Sequence, residues 1–170
     1  MDLRDYIQEI PDFPKPGILF RDITPLLNAP EAFRACIARF EQRYQSGRID
    51  RVLGVESRGF LFGAPLALAL GVGFVPVRKQ GKLPQTTLQR SYDLEYGSAT
   101  LEIHREALKR GERVVVVDDL LATGGTARAA AELVEEAGAK VEELAFVIEL
   151  AGLGGRQQLS WPVHTLLVYD

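Results

Sequence analysis

Residues 114–126, VVVVDDLLATGGT, place two adjacent carboxylates, two threonines and a pair of glycines directly behind a run of four valines. Val114 to Val117 form a short β-branched run of the kind buried on both faces of a parallel sheet. Asp118 and Asp119 are therefore expected to emerge at the strand's carboxyl end. Open α/β sheets bind their ligands at that edge. Ala122, Thr123, Gly124, Gly125 and Thr126 then lead into TARAAAELVEEAG, whose apolar spacing and closing Gly138 predict an amphipathic helix. Glycines let backbone N–H groups crowd around an anion, and a helix N-terminus adds partial positive charge. Carboxylates repel a phosphate but accept hydrogen bonds from sugar hydroxyls, so the combination suits a phosphorylated sugar. No lysine follows Gly125, which excludes a Walker A loop. Without a ligand, the same residues would be a buried strand, a polar turn and a threonine cap.

Four further groups could take part. Val55-Glu56-Ser57-Arg58-Gly59-Phe60 closes a second apolar run, VLGV at 52–55. Alone it reads as Ser57 capping a helix beside an exposed arginine. In a parallel sheet, however, its end shares an edge with the valine run, and Arg58 can reach an anion beside the glycine turn. Arg78, Lys79 and Lys82 would alone be a solvated turn. Next to a ligand with several phosphate charges, mobile cations can follow a leaving group and exclude water on closure. Residues 13–25, FPKPGILFRDITP, read as an irregular N-terminal arm docking Ile18, Leu19 and Phe20 into the core. Ser91 to Gly97, SYDLEYG, reads as a solvated hairpin.

The acid pair and glycine turn resemble the phosphoribosyl-diphosphate motif of type I phosphoribosyltransferases. That resemblance implies that Asp118 and Asp119 hold the ribose hydroxyls and that Ala122 to Thr126 take the 5′-phosphate. Residues 55–60 resemble the family's diphosphate loop, where a non-proline cis peptide, here joining Glu56 and Ser57, aims backbone donors at the diphosphate. Arg58, Arg78, Lys79 and Lys82 would hold the same group. The 13–25 segment resembles the signature of the family's adenine-specific members, implying that Leu19, Phe20 and Arg21 frame the purine. Glu95 and Tyr96 would lie on the purine side, with the Glu95 carboxylate managing the proton that adenine loses. The resemblance runs from about residue 10 to the C-terminus. It implies transfer of the phosphoribosyl group of 5-phosphoribosyl 1-diphosphate to adenine, giving AMP and diphosphate. Mg²⁺ would arrive on the substrate with no direct protein ligands, and the chain would work as a homodimer. A ligand-sensing regulator of the same fold, or an enzyme for xanthine or orotate, remain alternatives.

Behind these residues stands one repeating scheme of short apolar runs and amphipathic stretches, without internal repeats or low-complexity linkers. It predicts a single α/β domain over 1–170, with a mostly parallel central sheet flanked by helices. Helices are expected at 30–46 and 59–70, the second disturbed by Pro65, and strands at 52–55, 74–79, 114–117, 141–150 and 164–170. Residues 1–28 would form an N-terminal hood for the base, and 80–100 an irregular, flexible active-site loop. Among 170 residues, 46% hydrophobic content supports a sizeable core, and 23 acids against 20 bases give a net charge of −3. That balance argues against a nucleic-acid or anionic-membrane surface. The single cysteine, Cys36, falls with Phe33, Ile37 and Phe40 on an apparent helix face and reads as core. His104 and His164 have no clustered metal-ligating neighbours. The charged N-terminus lacks an apolar leader, and a cytoplasmic protein is expected.

Overall fold

The computed structural model describes residues 1–94 and 96–170. The central strands explain the architecture. Val114 to Val117 are all within 1% of full burial, and alternate residues point to opposite faces of the sheet. Val114 and Val116 join one core with Leu53, Val55, Val75, Val77, Leu144 and Phe146. Val115 and Val117 join the other with Val52, Ala145, Val147 and Leu167. Each valine buried in this way contributes about 1.5–3 kcal/mol. A sheet apolar on both faces must be covered on both, and helices do so.

In chain order the elements are β1 (Gln8–Pro11), β2 (Leu19–Asp22), α1 (Thr24–Asn28), α2 (Pro30–Tyr44), β3 (Arg51–Val55), α3 (Arg58–Leu70) and β4 (Gly73–Lys79). They continue with β5 (Thr87–Asp93), β6 (Ser98–His104), β7 (Arg113–Leu121), α4 (Gly125–Glu136), β8 (Lys140–Leu150) and β9 (Val163–Tyr169). Seven strands form one sheet in the order β5-β6-β4-β3-β7-β8-β9. Pairing is parallel from β4 through β9 and antiparallel between β4 and β6 and between β5 and β6. Helix α4 packs Ala127, Ala130, Leu133 and Val134 on one face. Phe40 of α2 and Phe62 and Leu66 of α3 cover the other. From β3 the chain steps outward to β4, and after the β5–β6 hairpin it returns to β7 on the other side of β3. The order of winding thus reverses between β3 and β7, where a crevice opens at the carboxyl edge.

The expected α/β class and the mostly parallel sheet are both present, and four local expectations need correction. Strand β7 continues past the valines to Leu121, so Asp118 and Asp119 lie inside the strand, before its end. Pairing with β8 through Leu121↔Glu149 keeps the backbone extended there. Residues 80–100 are not one irregular loop, since 87–93 and 98–104 pair in register from Thr87↔His104 to Asp93↔Ser98. The N-terminal arm is also partly regular: β1 and β2 pair antiparallel from Gln8↔Asp22 to Pro11↔Leu19. Pro65 leaves α3 unbroken through Leu70, and the helix stops at Gly71 with φ +69°. Packing of Phe62, Leu66 and Ala67 on the sheet outweighs the proline's lost donor. No helix among the described residues is long and apolar enough to cross a membrane.

Candidate active site

Two adjoining hollows open at the carboxyl ends of β3 and β7. One, of about 200 Å³, is lined by Arg58 and the continuous stretch Asp118 to Ala127. The other, of about 350 Å³, is lined by Glu56, Ser57, Arg58, Lys79, Tyr92 and the two aspartates, among others. Arg58, Asp118, Asp119 and Thr126 line both, so the hollows form one cleft.

The glycine turn closes one end. Gly124 has φ +90° and caps α4. The first helical hydrogen bond runs from the Arg128 N–H to the Gly124 carbonyl at 2.9 Å, so the N–H groups of Gly125, Thr126 and Ala127 precede it. Those donors and the positive end of α4 make an anion seat. A second glycine supports the turn from behind. A Cβ on Gly155 would lie 2.2 Å from the Ala122 carbonyl oxygen, and one on Gly124 would lie 2.8 Å from the Gly155 carbonyl oxygen. The backbones touch there, which only glycines allow. The Gly155 turn is tied down by Arg156, whose Nε donates to Glu149 at 2.9 Å, and by a 2.9 Å bond from Arg156 Nη1 to the Val163 carbonyl.

The acid pair forms the floor. Asp119 is 6% exposed, and its carboxylate meets Arg58 Nε at 2.8 Å. The Asp119 N–H donates to Asp118 Oδ1 at 2.9 Å. Burial, then the neighbouring Asp119 charge, raises the Asp118 pKa well above the usual carboxylate value, and Arg58 offsets this only in part. Gly59 brings α3 onto β7, since a Cβ there would lie 2.7 Å from the Val117 carbonyl oxygen and 3.1 Å from Asp118 Oδ1.

The basic residues gather at the other end around Glu56. Its carboxylate accepts from Lys82 Nζ at 2.8 Å, the Lys79 N–H at 2.9 Å and Arg78 Nη2 at 3.4 Å. Burial pushes the Glu56 pKa up, but these three donors outweigh it and bring the value down to about 2. The peptide joining Glu56 to Ser57 is cis, as the resemblance implied. The cleft therefore holds Arg58 on Asp119, and Arg78 and Lys82 on Glu56, while Lys79 reaches Glu56 through its backbone N–H.

The base-side residues separate. Leu19 and Arg21, on one side of β2, line a mainly apolar hollow of about 430 Å³ with Ile18, Leu150 and Leu153. The Arg21 guanidinium stacks 4.3 Å from the centre of the Tyr169 ring and pairs with Glu9. Phe20 lies on the opposite side, edge-on to Phe13 at 5.1 Å. Tyr96 is 82% exposed at the turn of the β5–β6 hairpin. Glu95 lies outside the described residues.

Sequence reasoning missed three supporting residues. Gly59 and Gly155 act through close backbone approach, for which the GLGG stretch at 152–155 was the one available signal. Glu102 alternates with Leu101 and Ile103 and so resembles a solvated strand residue, yet it is 2% exposed.

The phosphoribosyl transferase domain family matches residues 22–160. The adenine phosphoribosyltransferase of Carboxydothermus hydrogenoformans is 61% identical over 160 residues, covering 94% of each chain. That of Chloroflexus aurantiacus is 57% identical over 169 residues, covering 99% of this chain and 98% of the relative. The structure superposes with a TM-score of 0.94 on the Saccharomyces cerevisiae adenine phosphoribosyltransferase, which is complexed with an imino-altritol 1,6-bisphosphate and adenine. That match has 49% identity and covers 97% of this chain and 96% of the other. On these matches the chain belongs to the phosphoribosyl transferase family and, within it, to the adenine phosphoribosyltransferases.

Proposed function

We propose that the protein transfers the phosphoribosyl group of 5-phosphoribosyl 1-diphosphate to adenine, releasing AMP and diphosphate in purine salvage. The observation that carries this reading is the cleft's polarity along its length. It has an anion seat at Gly124–Ala127, two carboxylates in the middle and a cluster of cations around Glu56. A phosphate, a dihydroxylated sugar and a diphosphate in series complement that order, with an anion at each end and hydroxyl donors between them.

In this reading Ala122, Thr123, Gly124, Gly125 and Thr126 anchor the 5′-phosphate, which sets the ribose over Asp118 and Asp119. The carboxylates accept from the ribose hydroxyls and favour the positive charge that develops on the ring as the anomeric bond breaks. Arg58, Arg78, Lys79 and Lys82 take the diphosphate, with Arg58, Arg78 and Lys82 exchanging their carboxylate partners for phosphate oxygens. The backbone at Glu56 and Ser57 adds donors. A diphosphate carries more charge than the acids it replaces, which favours the exchange. Phe20 offers a face and the β2 backbone offers donors and acceptors to the base, with Leu19 and Arg21 holding the strand. Tyr96 approaches from the hairpin, and the role of accepting the adenine proton is assigned to Glu95.

Among the described residues no three His, Cys, Asp or Glu side chains gather into a metal cage. The paired carboxylates on the floor suit an ion that takes most ligands from substrate oxygens, as Mg²⁺ does. When bound, Mg²⁺ would neutralise diphosphate charge and be held by substrate oxygens, with Asp118 and Asp119 facing it across the ribose hydroxyls they accept from. We place the enzyme in the cytoplasm as a homodimer, and Leu61 and Leu68, exposed on α3, offer apolar surface for a second copy.

The test is diphosphate release by the purified protein. Release is expected only when 5-phosphoribosyl 1-diphosphate, Mg²⁺ and adenine are all present, with AMP formed in equal amount. Release without adenine, or its absence with all three, would refute the proposal.

A further inference from the structure

The loop that carries Lys82 is short, glycine-containing and bordered by solvent, yet its backbone is fastened at every step. Gln80 N–H donates to the Thr100 carbonyl at 3.0 Å, and Lys82 N–H donates to the Lys79 carbonyl at 3.3 Å. The amides on either side of Lys82 both turn inward to one side chain. Gly81 N–H and Leu83 N–H each donate to Glu102 Oε1 at 3.1 Å. The other oxygen of the same carboxylate is held from β5, by Gln89 Nε2 at 3.1 Å and Thr87 Oγ1 at 3.3 Å.

Glu102 sits on β6 between its register partners Arg78 on β4 and Gln89 on β5. A carboxylate at 2% exposure is costly unless its oxygens are fully used, and this one receives four donors. Burial pushes its pKa up, and the four donors more than reverse that, so it remains ionised and acceptor-only. Its four donors belong to the loop and the hairpin, and none of them is a side chain lining the cleft.

We propose that Glu102 is a positioning residue for the basic loop: by clamping the amides of Gly81 and Leu83 it fixes where the Lys82 ammonium stands. It touches no substrate. This proposal deepens the reading of Lys82 as a diphosphate ligand and rests on it. Loss of the clamp would let the loop drift while the anion seat and the base arm stay intact, so the defect should be selective. Misplacement by about 1 Å can cost about 100-fold.

Steady-state kinetics of E102A, E102Q, K82A and the K82A/E102A double variant test the proposal, with unfolding midpoints measured alongside. E102A is expected to raise the KM for 5-phosphoribosyl 1-diphosphate by about 10 to 100-fold while shifting the adenine KM by less than about twofold. E102Q keeps one oxygen for the two amides and should recover most of the loss. In the K82A background E102A should add little, because the two residues act through one contact. Equal shifts in both KM values, no rescue by Gln, or additive effects would overturn the role of Glu102. An unchanged KM in K82A would instead overturn the reading of the loop itself. Amide hydrogen exchange of the wild-type protein gives a test that needs no stable variant. Gly81 and Leu83 should exchange more slowly than solvent-bonded loop amides, and unprotected amides there would refute the clamp.

Discussion

Substituting Gly124 by alanine probes the phosphate seat with the smallest available change. The glycine has φ +90°, and a Cβ built there stands 2.8 Å from the Gly155 carbonyl oxygen, where ordinary contact begins at 3.4 Å. The neighbour is backbone, held by Arg156 on Glu149 and on the Val163 carbonyl, so it cannot rotate away as a side chain would. About 0.6 Å must come from displacement of the turn, and the left-handed conformation costs about 1–2 kcal/mol for a residue with a Cβ. A shift of that size at the donors should weaken 5-phosphoribosyl 1-diphosphate binding by about 10 to 100-fold. Adenine binding should change by less than about threefold, since β2 contributes nothing to this turn. Gly125 is the control: its φ is not positive and a Cβ there meets the Tyr92 ring at 3.3 Å and the Asp93 carbonyl oxygen at an ordinary 3.8 Å, so Gly125→Ala should do less. Calorimetric titration of each ligand into both variants measures the contrast. Wild-type diphosphate affinity in Gly124→Ala, or equal loss for both ligands, would refute the assignment.

Two other predictions concern the acids. Asp118→Asn should lower kcat by about 10 to 100-fold, the scale of a hydrogen bond to a charged group, while the fold survives. Because burial and Asp119 raise the Asp118 pKa in the folded protein, the folded state holds a proton that the unfolded state releases. Stability from this group is therefore full below the ordinary Asp value of about 3.9 and declines as pH rises through the higher folded value. The amide removes that decline, so the variant's unfolding midpoint should gain on wild type as pH rises from 4 to 8, and a constant gap would count against the account. Glu95→Gln should lower kcat by about 10² to 10⁴-fold and remove one limb of its pH profile. A scaled but unchanged profile would assign Glu95 to loop closure instead, and a normal kcat would remove it from the site.

The parts of this account legible beforehand were those fixed by local order. Four valines and a glycine turn specify a buried strand and a helix start, and the structure has both in sequence, with the two acids inside the strand instead of at its end. The sequence brings Arg58 within reach of an anion beside the glycine turn, and parallel pairing of Gly54 with Val117 does bring the two strand ends together, where Arg58 pairs with Asp119. What stayed hidden depends on contacts between distant segments. Gly155 is 31 positions from Gly124 and reveals its role only when the backbones meet. Glu102 alternates like a solvated strand residue, and the loop that buries it belongs in sequence to one long polar stretch without a regular period. The length of β7 was missed because its pairing with β8, not the identity of Asp118 to Leu121, keeps those residues extended. Leu19, Phe20 and Arg21 are neighbours in sequence, whereas strand alternation in β2 sends Phe20 to the opposite side.

The central claim is that this cleft joins a phosphoribosyl group to adenine in preference to other bases. Comparison of kcat/KM for adenine, hypoxanthine, guanine, xanthine and orotate, at fixed 5-phosphoribosyl 1-diphosphate and Mg²⁺, tests it most directly. The account predicts AMP formation from adenine with a kcat/KM at least about 10³-fold above that for any other base, as expected where a site's hydrogen-bonding groups would be left unpaired by the wrong ligand. Comparable or faster nucleotide formation from one of the other four, or none from adenine, would contradict it.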